Sequence, residues 1–280
     1  MIEYTPTKQQ QLLGLAYQMT GEITPSQDIC QEVWIRYWKR AKKVQITHPM
    51  AYLRRMVINA SLDYLQAVAQ ERAAYKGPWL PEPLLDAPSH SHLDLTYGLT
   101  VLLSRLNPKE RAIFLLKECF DYSYTEIATT LALTGANCRK IYQRLQVKIK
   151  QAAPNNAPSG DTSLFEEHFL EANQTGQLEA LIALLKEDIA VYSDGGGKVT
   201  AALKSLHGWA TCKAFLQGIV KKAGEKMAVQ PIWIHQQLGW EIYENNQLTT
   251  LVLCDWNGDK VQNLYFIRNP DKLPIELLEK

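Results

Sequence analysis

The sequence predicts a multi-domain protein in which two all-α domains precede an α+β domain, and three observations carry that reading. Apolar residues recur every three or four positions through residues 8–72 and again through 93–152, the spacing of one helix face. Beyond residue 162, strand-like runs at 189–193, 229–235, 239–243, 248–255 and 260–268 join helical patterns at 163–185 and 209–222. Two breaks rich in turn formers, KGPWLPEPLLDAPSHSH at 76–92 and PNNAPSGD at 154–161, separate these blocks. The expected division is 1–75, a linker 76–92, 93–152, a linker 153–162, and 163–280.

In the first block, proline occurs within 8–72 only at Pro25 and Pro49, and both suit a helix start. Thr24-Pro25-Ser26-Gln27 is expected to cap a helix that turns Cys30, Val33, Trp34, Tyr37, Trp38 and Ala41 inward. Asp28, Gln31, Glu32, Ile35 and Lys39 share its opposite surface. An exposed isoleucine among acids and amides suits protein docking, although a single surface Ile is common on soluble proteins. His48-Pro49 opens the next helix, MAYLRRMVINASLDYL, whose Arg54, Arg55, Asn59 and Asp63 punctuate an aliphatic rod.

The second block holds the most specific pattern. Asn107-Pro108-Lys109-Glu110 combines an N-cap, a proline at the first helical position and a capping-box Glu. Ser123 caps the next helix with Glu126 three residues on, a short turn follows at Ala132-Leu133, and Thr134 caps a long helix from Gly135 to about Lys150. Cys138, Ile141, Tyr142, Leu145 and Ile149 form its apolar stripe. A helix-turn-helix of this kind sets the N-terminal residues of its last helix at base edges, here Asn137, Arg139, Lys140 and Gln143, with Arg144 and Lys148 better placed for phosphates. A basic helix face by itself is usually only solvated; the caps in register with a short turn favour DNA binding.

In the third block Asn257-Gly258 predicts a type I′ hairpin within a curved antiparallel sheet. Asp194-Gly195-Gly196-Gly197-Lys198 invites a phosphate-loop reading, since consecutive glycines let N–H groups converge on an anion. That reading fails because Val199 replaces the Ser/Thr and the upstream glycine is missing. A loop that presents Lys198 to a partner fits better. Asn269-Pro270-Asp271-Lys272-Leu273 closes the final strand with a turn.

Composition sets the remaining bounds. The chain has 280 residues, 46% hydrophobic and 21% charged, enough for two or three small globular domains. It contains no apolar run of membrane-spanning length, and MIEYTPTKQQQ has no basic segment followed by an apolar one, so a cytoplasmic protein without a membrane partner is expected. Cys30, Cys119, Cys138, Cys212 and Cys254 are widely spaced with no C-x-x-C, which points to buried thiols rather than disulfides or a metal site. Charge is unevenly divided: residues 1–152 carry 19 Lys and Arg against 13 Asp and Glu, whereas residues 153–280 carry 11 against 16. The front part suits a polyanion, and the back part suits the front.

The order LLGLAYQMTG, QDICQEVWIRYWKR, PMAYLRRMVINASLDYL and LNPKERAIFLLKECFDYSYTEIATTLALTGANCRKIYQRL resembles the bacterial sigma-70 family, in its extracytoplasmic-function branch. YKGPWLPEPL at 75–84, DGGGK at 194–198 and NPDKL at 269–273 resemble the group with a fused SnoaL-like C-terminal domain, so the likeness covers nearly the whole chain. The resemblance implies a region 2 helical bundle in 1–75, a region 4 helix-turn-helix in 93–152 and a cone-shaped α+β domain in 163–280. It implies that Asp28, Gln31, Glu32 and Ile35 bind core RNA polymerase, that Arg54, Arg55, Asn59 and Asp63 engage the minus-10 element of promoter DNA, and that the helix-turn-helix reads the minus-35 element. One departure is Gln66-Ala67-Val68-Ala69-Gln70, where many relatives carry an arginine cluster; it weakens the expected phosphate grip near minus-10.

A tryptophan set among three prolines and a glycine has nothing local to pack against. Trp79 and Pro81 are expected to dock on the C-terminal domain near DGGGK and NPDKL, an intramolecular contact; the competing expectation is that Trp79 covers a patch of the N-terminal domain. The resemblance also implies that both motifs help regulate the sigma module. SnoaL-like domains share their fold with several enzymes, for which Asp194, His207, His235 and Asp255 would be the acid or base, but no spacing singles out a pair. The expected function is an alternative sigma factor, not an enzyme, with no catalytic residues, metal or cofactor, modulated in cis by its last domain. The alternative is a bifunctional DNA-binding regulator whose C-terminal domain binds or transforms an unidentified small ligand.

Overall fold

The computed structural model describes residues 2–85, 95–152, 167–168, 171, 175, 179–223, 227–235 and 237–274. These form two compact units: residues 2–73, 95 and 99–152 in one, and residues 74–85 and 96–98 with the described residues beyond 166 in the other. Linker positions 86–92, the second linker 153–162 and most of the helix expected over 163–185 lie outside the described residues.

The first unit is helical: α1 (Pro6–Thr20), α2 (Ile23–Ala41), α3 (Pro49–Ala67), α4 (Ala69–Ala73), α5 (Tyr97–Ser104, of which residues 99–104 belong to this unit), α6 (Pro108–Glu118), α7 (Tyr124–Leu131) and α8 (Gly135–Ala152). Local chemistry sets most of these ends. Thr5 accepts from the Lys8 N–H at the start of α1, and Gly21, with φ of 75°, closes it by donating to Tyr17 O. His48 precedes Pro49 at the first position of α3. Asn107 with Glu110, and Ser123 with Glu126, form reciprocal capping boxes on α6 and α7. The start of α2 differs from expectation: its N-cap is Glu22, not Thr24. Ser26 turns inward instead, bonding Glu22 O at 2.5 Å and the Thr20 hydroxyl at 2.7 Å.

Both helical blocks share one hydrophobic core. Leu15 of α1, Tyr37 of α2 and Val57 of α3 belong to the same cluster as Ile113 of α6, Ile127 of α7 and Leu145 of α8. Arg111, only 2% exposed, ties the two together. Its guanidinium donates to Leu103 O, Ser104 O and Met19 O, so helix-end carbonyls satisfy a buried cation. Trp38, expected inward, is 37% exposed, its ring tilted against those of Trp34 and Tyr4.

The second unit holds α9 (Glu179–Ala183), α10 (Trp209–Ala223) and a six-stranded sheet of β1 (Leu185–Asp194), β2 (Leu206–His207), β3 (Met227–Ile234), β4 (Gln237–Glu244), β5 (Gln247–Asn257) and β6 (Lys260–Ile267). Strand order is β2-β1-β6-β5-β4-β3. The sheet is mixed, not purely antiparallel, because β1 pairs parallel with β6. The expected type I′ turn at Asn257-Gly258 also shifts by one residue: Asn257 pairs with Lys260, leaving Gly258-Asp259 as the loop. Among non-glycine residues there, none has positive φ, and Gly258 at +70° occupies the first central position, the type II′ pattern. Asn245-Asn246, both at positive φ, make the I′-like turn between β4 and β5.

One sheet face packs on α10, with Val191, Trp240, Val252 and Phe266 against Cys212 and Leu216. Alternation along the strands puts Tyr192, Asp194, Asp255 and Tyr265 on the other face.

Candidate functional sites

On α8 the stripe division expected from sequence is present. Cys138, Tyr142 and Leu145 are buried, whereas Asn137, Arg139, Lys140, Gln143, Arg144 and Lys148 are exposed. Thr134 accepts from the Asn137 N–H at 3.2 Å, and Ala132 turns the chain at φ of 53°. Two of the cations have partners. The Arg139 guanidinium lies 5.3 Å from the Tyr124 ring centre, and Arg144 ion-pairs with Glu110. An exposed pair of this kind is worth at most about 1 kcal/mol, so Arg144 can exchange its carboxylate for a phosphate.

On α2, Asp28, Gln31, Glu32 and Ile35 are exposed on one surface, with Ile35 43% open and Glu32 paired to Arg36. On α3, Arg55, Asn59 and Asp63 lie four residues apart and are exposed, forming one polar line. Arg54 does not join them. Its guanidinium stacks 4.4 Å from the Phe120 ring centre and its Nε is buried without a hydrogen-bond partner among the described residues, a packing position rather than an open one.

The most connected polar site lies in the second unit, around Asp194. This residue is fully buried, and its carboxylate accepts four hydrogen bonds: from Tyr75 OH at 2.5 Å, Leu80 N at 2.9 Å, Gly196 N at 3.0 Å and Lys272 Nζ at 2.7 Å. Four donors saturate an ionised carboxylate. Lys272 also donates to Leu80 O at 2.7 Å, and its ammonium faces the Trp79 ring at 4.2 Å and the Tyr75 ring at 4.8 Å. The tryptophan that sequence left without a support thus lies over a buried cation. Burial, and then the bond to Asp194, push the Tyr75 pKa above its ordinary value.

The glycine and asparagine motifs meet here. Asn269 donates to Tyr75 OH and, through its backbone, to Asp194 O; Lys198 pairs with Asp271. Gly196 and Gly197 have φ of 61° and 72°, and a Cβ on either would press on Asn269 or Lys76. Lys198 N and Val199 N both turn back to Gly195 O, so the loop spends its donors internally. Pro81 O accepts from Tyr97 OH, Leu273 is buried, and Pro270 is exposed. In the sequence, Tyr75 stands out only as an aromatic with a polar tip inside a proline-rich segment.

Each of the four acid/base candidates has a partner among the described residues. Asp194 is ion-paired, and exposed His207 contacts Ser205. His235, at positive φ just past β3, packs against Tyr97, and Asp255 accepts from Tyr265 and Asn263 on the sheet face away from α10. Burial pushes the Cys30 and Cys119 thiols up to about 12, well away from nucleophilic thiolates. Among the described residues, no three His, Cys, Asp or Glu side chains are grouped to hold a metal, and no helix is long and apolar enough to cross a membrane.

Comparison with known proteins matches this geometry. Residues 7–70 match Sigma-70 region 2, and residues 98–146 match Sigma-70, region 4. The chain is 30% identical over 287 aligned positions to the ECF RNA polymerase sigma factor SigJ of Mycobacterium tuberculosis, covering 94% of this chain and 90% of that one. It is 26% identical to the RNA polymerase sigma-E factor of Streptomyces coelicolor, over 53% of this chain and 83% of the other. The crystal structure of the Mycobacterium tuberculosis extracytoplasmic function sigma factor SigJ superposes with a TM-score of 0.77 at 25% identity, covering 95% of each chain.

Proposed function

The chain belongs to the sigma-70 family, in its extracytoplasmic-function branch, and from that premise we propose that its C-terminal domain modulates it in cis by withholding the linker. As an alternative sigma factor it is not an enzyme; it works with core RNA polymerase and promoter DNA, which places its action in the cytoplasm. On this reading α2, through Asp28, Gln31, Glu32 and Ile35, docks on polymerase. Arg55, Asn59 and Asp63 meet the opened minus-10 strand, with Arg54 joining once freed from Phe120, and the exposed face of α8 reads minus-35.

The observation that carries the modulation is the saturation of Asp194 by Tyr75, Leu80 and Lys272. Linker residues that complete a buried ion pair are not available to another partner. A tethered segment acts at about millimolar effective concentration, so the seat competes with polymerase even if each contact is modest. Trp79→Ala tests this. Expected are faster tryptic cleavage after Lys76 and higher output from a cognate promoter; unchanged values of both would refute the modulation.

The alternative, a small ligand bound by the C-terminal domain, is favoured by a separate observation, a cavity beside α10. Its walls contain none of His207, His235, Asp194 or Asp255, which supports binding over chemical conversion.

A further inference from the structure

Between α10 and the sheet lies a cavity of about 520 Å³, within the size range of small-molecule sites. Ala214, Gly218 and Lys222 of α10 line it at four-residue steps, flanked by Phe215 and Ile219, so one face of the helix looks into it. Gly218 stands in the middle of this helix, where glycine is unfavourable. A Cβ there would meet none of the described residues within 4 Å. The glycine is not forced by a neighbour; its effect is to leave the space open.

Ser193 supplies an independent sign of a ligand. It lines the cavity, is 1% exposed, and its hydroxyl has no hydrogen-bond partner among the described residues. A buried hydroxyl left unpaired is costly, and a polar ligand atom would relieve it. The charged lining has a sign: among the described residues, Arg268 and Lys222 face a single carboxylate, Glu244, which pairs with Arg268 at 3.5 Å. One positive charge is in excess, beside walls that include Phe215, Ile242 and Phe266.

We propose that this cavity binds a small monocarboxylic acid with an apolar body, its carboxylate accepting from Ser193 and balanced by Lys222, and that occupancy is felt at the linker seat. The second part follows from two adjacent pairs. Ser193 faces the cavity while Asp194 holds the linker; Arg268 lines the cavity while Asn269 contacts Tyr75. Backbone bonds from Arg268 N and Asn269 N to Asp194 O join the two strand ends. A ligand that moves Ser193 or Arg268 therefore moves the seat.

Calorimetry of the full chain with decanoate, and with decanol as the uncharged control, tests the site. Decanoate should saturate one site and bind several-fold tighter than decanol, and Ser193→Ala and Lys222→Met should shrink that preference to less than twofold. Gly218→Phe and Ala214→Trp should each weaken decanoate at least tenfold; using both keeps the test decisive if one variant misfolds. No saturable decanoate binding by the wild type, or undiminished binding by a folded cavity-filling variant, overturns the site. Decanoate should also change tryptic cleavage after Lys76 at least threefold in the wild type and not in Gly218→Phe. Unchanged cleavage at saturation overturns the coupling. The binding result stands apart from the cis-modulation reading, since calorimetry does not depend on promoter output.

Discussion

Lys272 and Asp194 form a buried ion pair at 2.7 Å, with side chains only 5% and 0% exposed, at the point where the linker meets the C-terminal domain. A charge pair removed from water is sustained only when its remaining donors and acceptors are also satisfied. Tyr75, Leu80 and Gly196 meet that demand on the carboxylate, and Leu80 O with the Trp79 ring meets it on the ammonium. The linker is therefore part of the charge pair's solvation.

Breaking the pair from one side strands the other charge. Lys272→Met and Asp194→Asn should each destabilise the protein by about 3–5 kcal/mol in urea unfolding. The double variant should lose less than the sum of the singles, because neither charge is left alone. Additive losses would mean that the two groups do not depend on one another.

Tyr75 makes the seat sensitive to alkali. Its folded pKa is raised by burial and by Asp194, so the folded state favours the neutral phenol. The stability this adds is complete below the ordinary tyrosine value near 10 and is lost as pH rises above it. Tyr75→Phe should remove about 1–3 kcal/mol at neutral pH, as expected for a hydrogen bond to a charged group, and should flatten the fall in stability above pH 10. An unfolding curve for Tyr75→Phe as steep above pH 10 as that of the wild type would contradict it.

Arg54 and Asn59, both on α3, should behave differently. Arg54→Ala removes the stack on Phe120 and should cost about 0.5–2 kcal/mol of stability. Asn59→Ala, at an exposed position, should leave stability within about 0.5 kcal/mol but impair promoter opening, followed by permanganate reactivity of the minus-10 thymines. Equal opening by Asn59→Ala and wild type would remove Asn59 from the DNA-contacting set.

For α8, Lys140→Ala should relax preference at one minus-35 position by about 1–3 kcal/mol. Lys148→Ala should instead weaken all sequences alike and reduce the slope of log affinity against log salt by about one. Binding assays on single-base promoter variants at several salt concentrations separate the two patterns; identical profiles would contradict the division of the helix.

What could be read from sequence was chiefly what is local. Asn107 with Glu110 and Ser123 with Glu126 identify their helices because each cap joins residues three apart. The start of α2 departs from the sequence pattern because Ser26 finds its partners at Thr20 and Glu22, so its hydroxyl serves the interior, not a cap. The hairpin at Asn257 was legible but its loop was not, since the pairing of Asn257 with Lys260 is set by the strands and not by the dipeptide. Arg54 looked like its neighbours until Phe120, far along the chain, claimed it. The same holds for Asp194: the resemblance brought its motif to notice, while its four donors come from residues 75, 80, 196 and 272 and follow no periodicity.

The most direct measurement is run-off transcription with core polymerase from a promoter selected in vitro, comparing the full chain with chains ending before Asn269 and before Asp161. Withholding of the linker predicts that loss of residues 269–280, which takes Lys272 from the seat, raises specific initiation above that of the full chain. Equal or lower initiation by that truncation, with the linker shown by proteolysis to be released, would contradict the account.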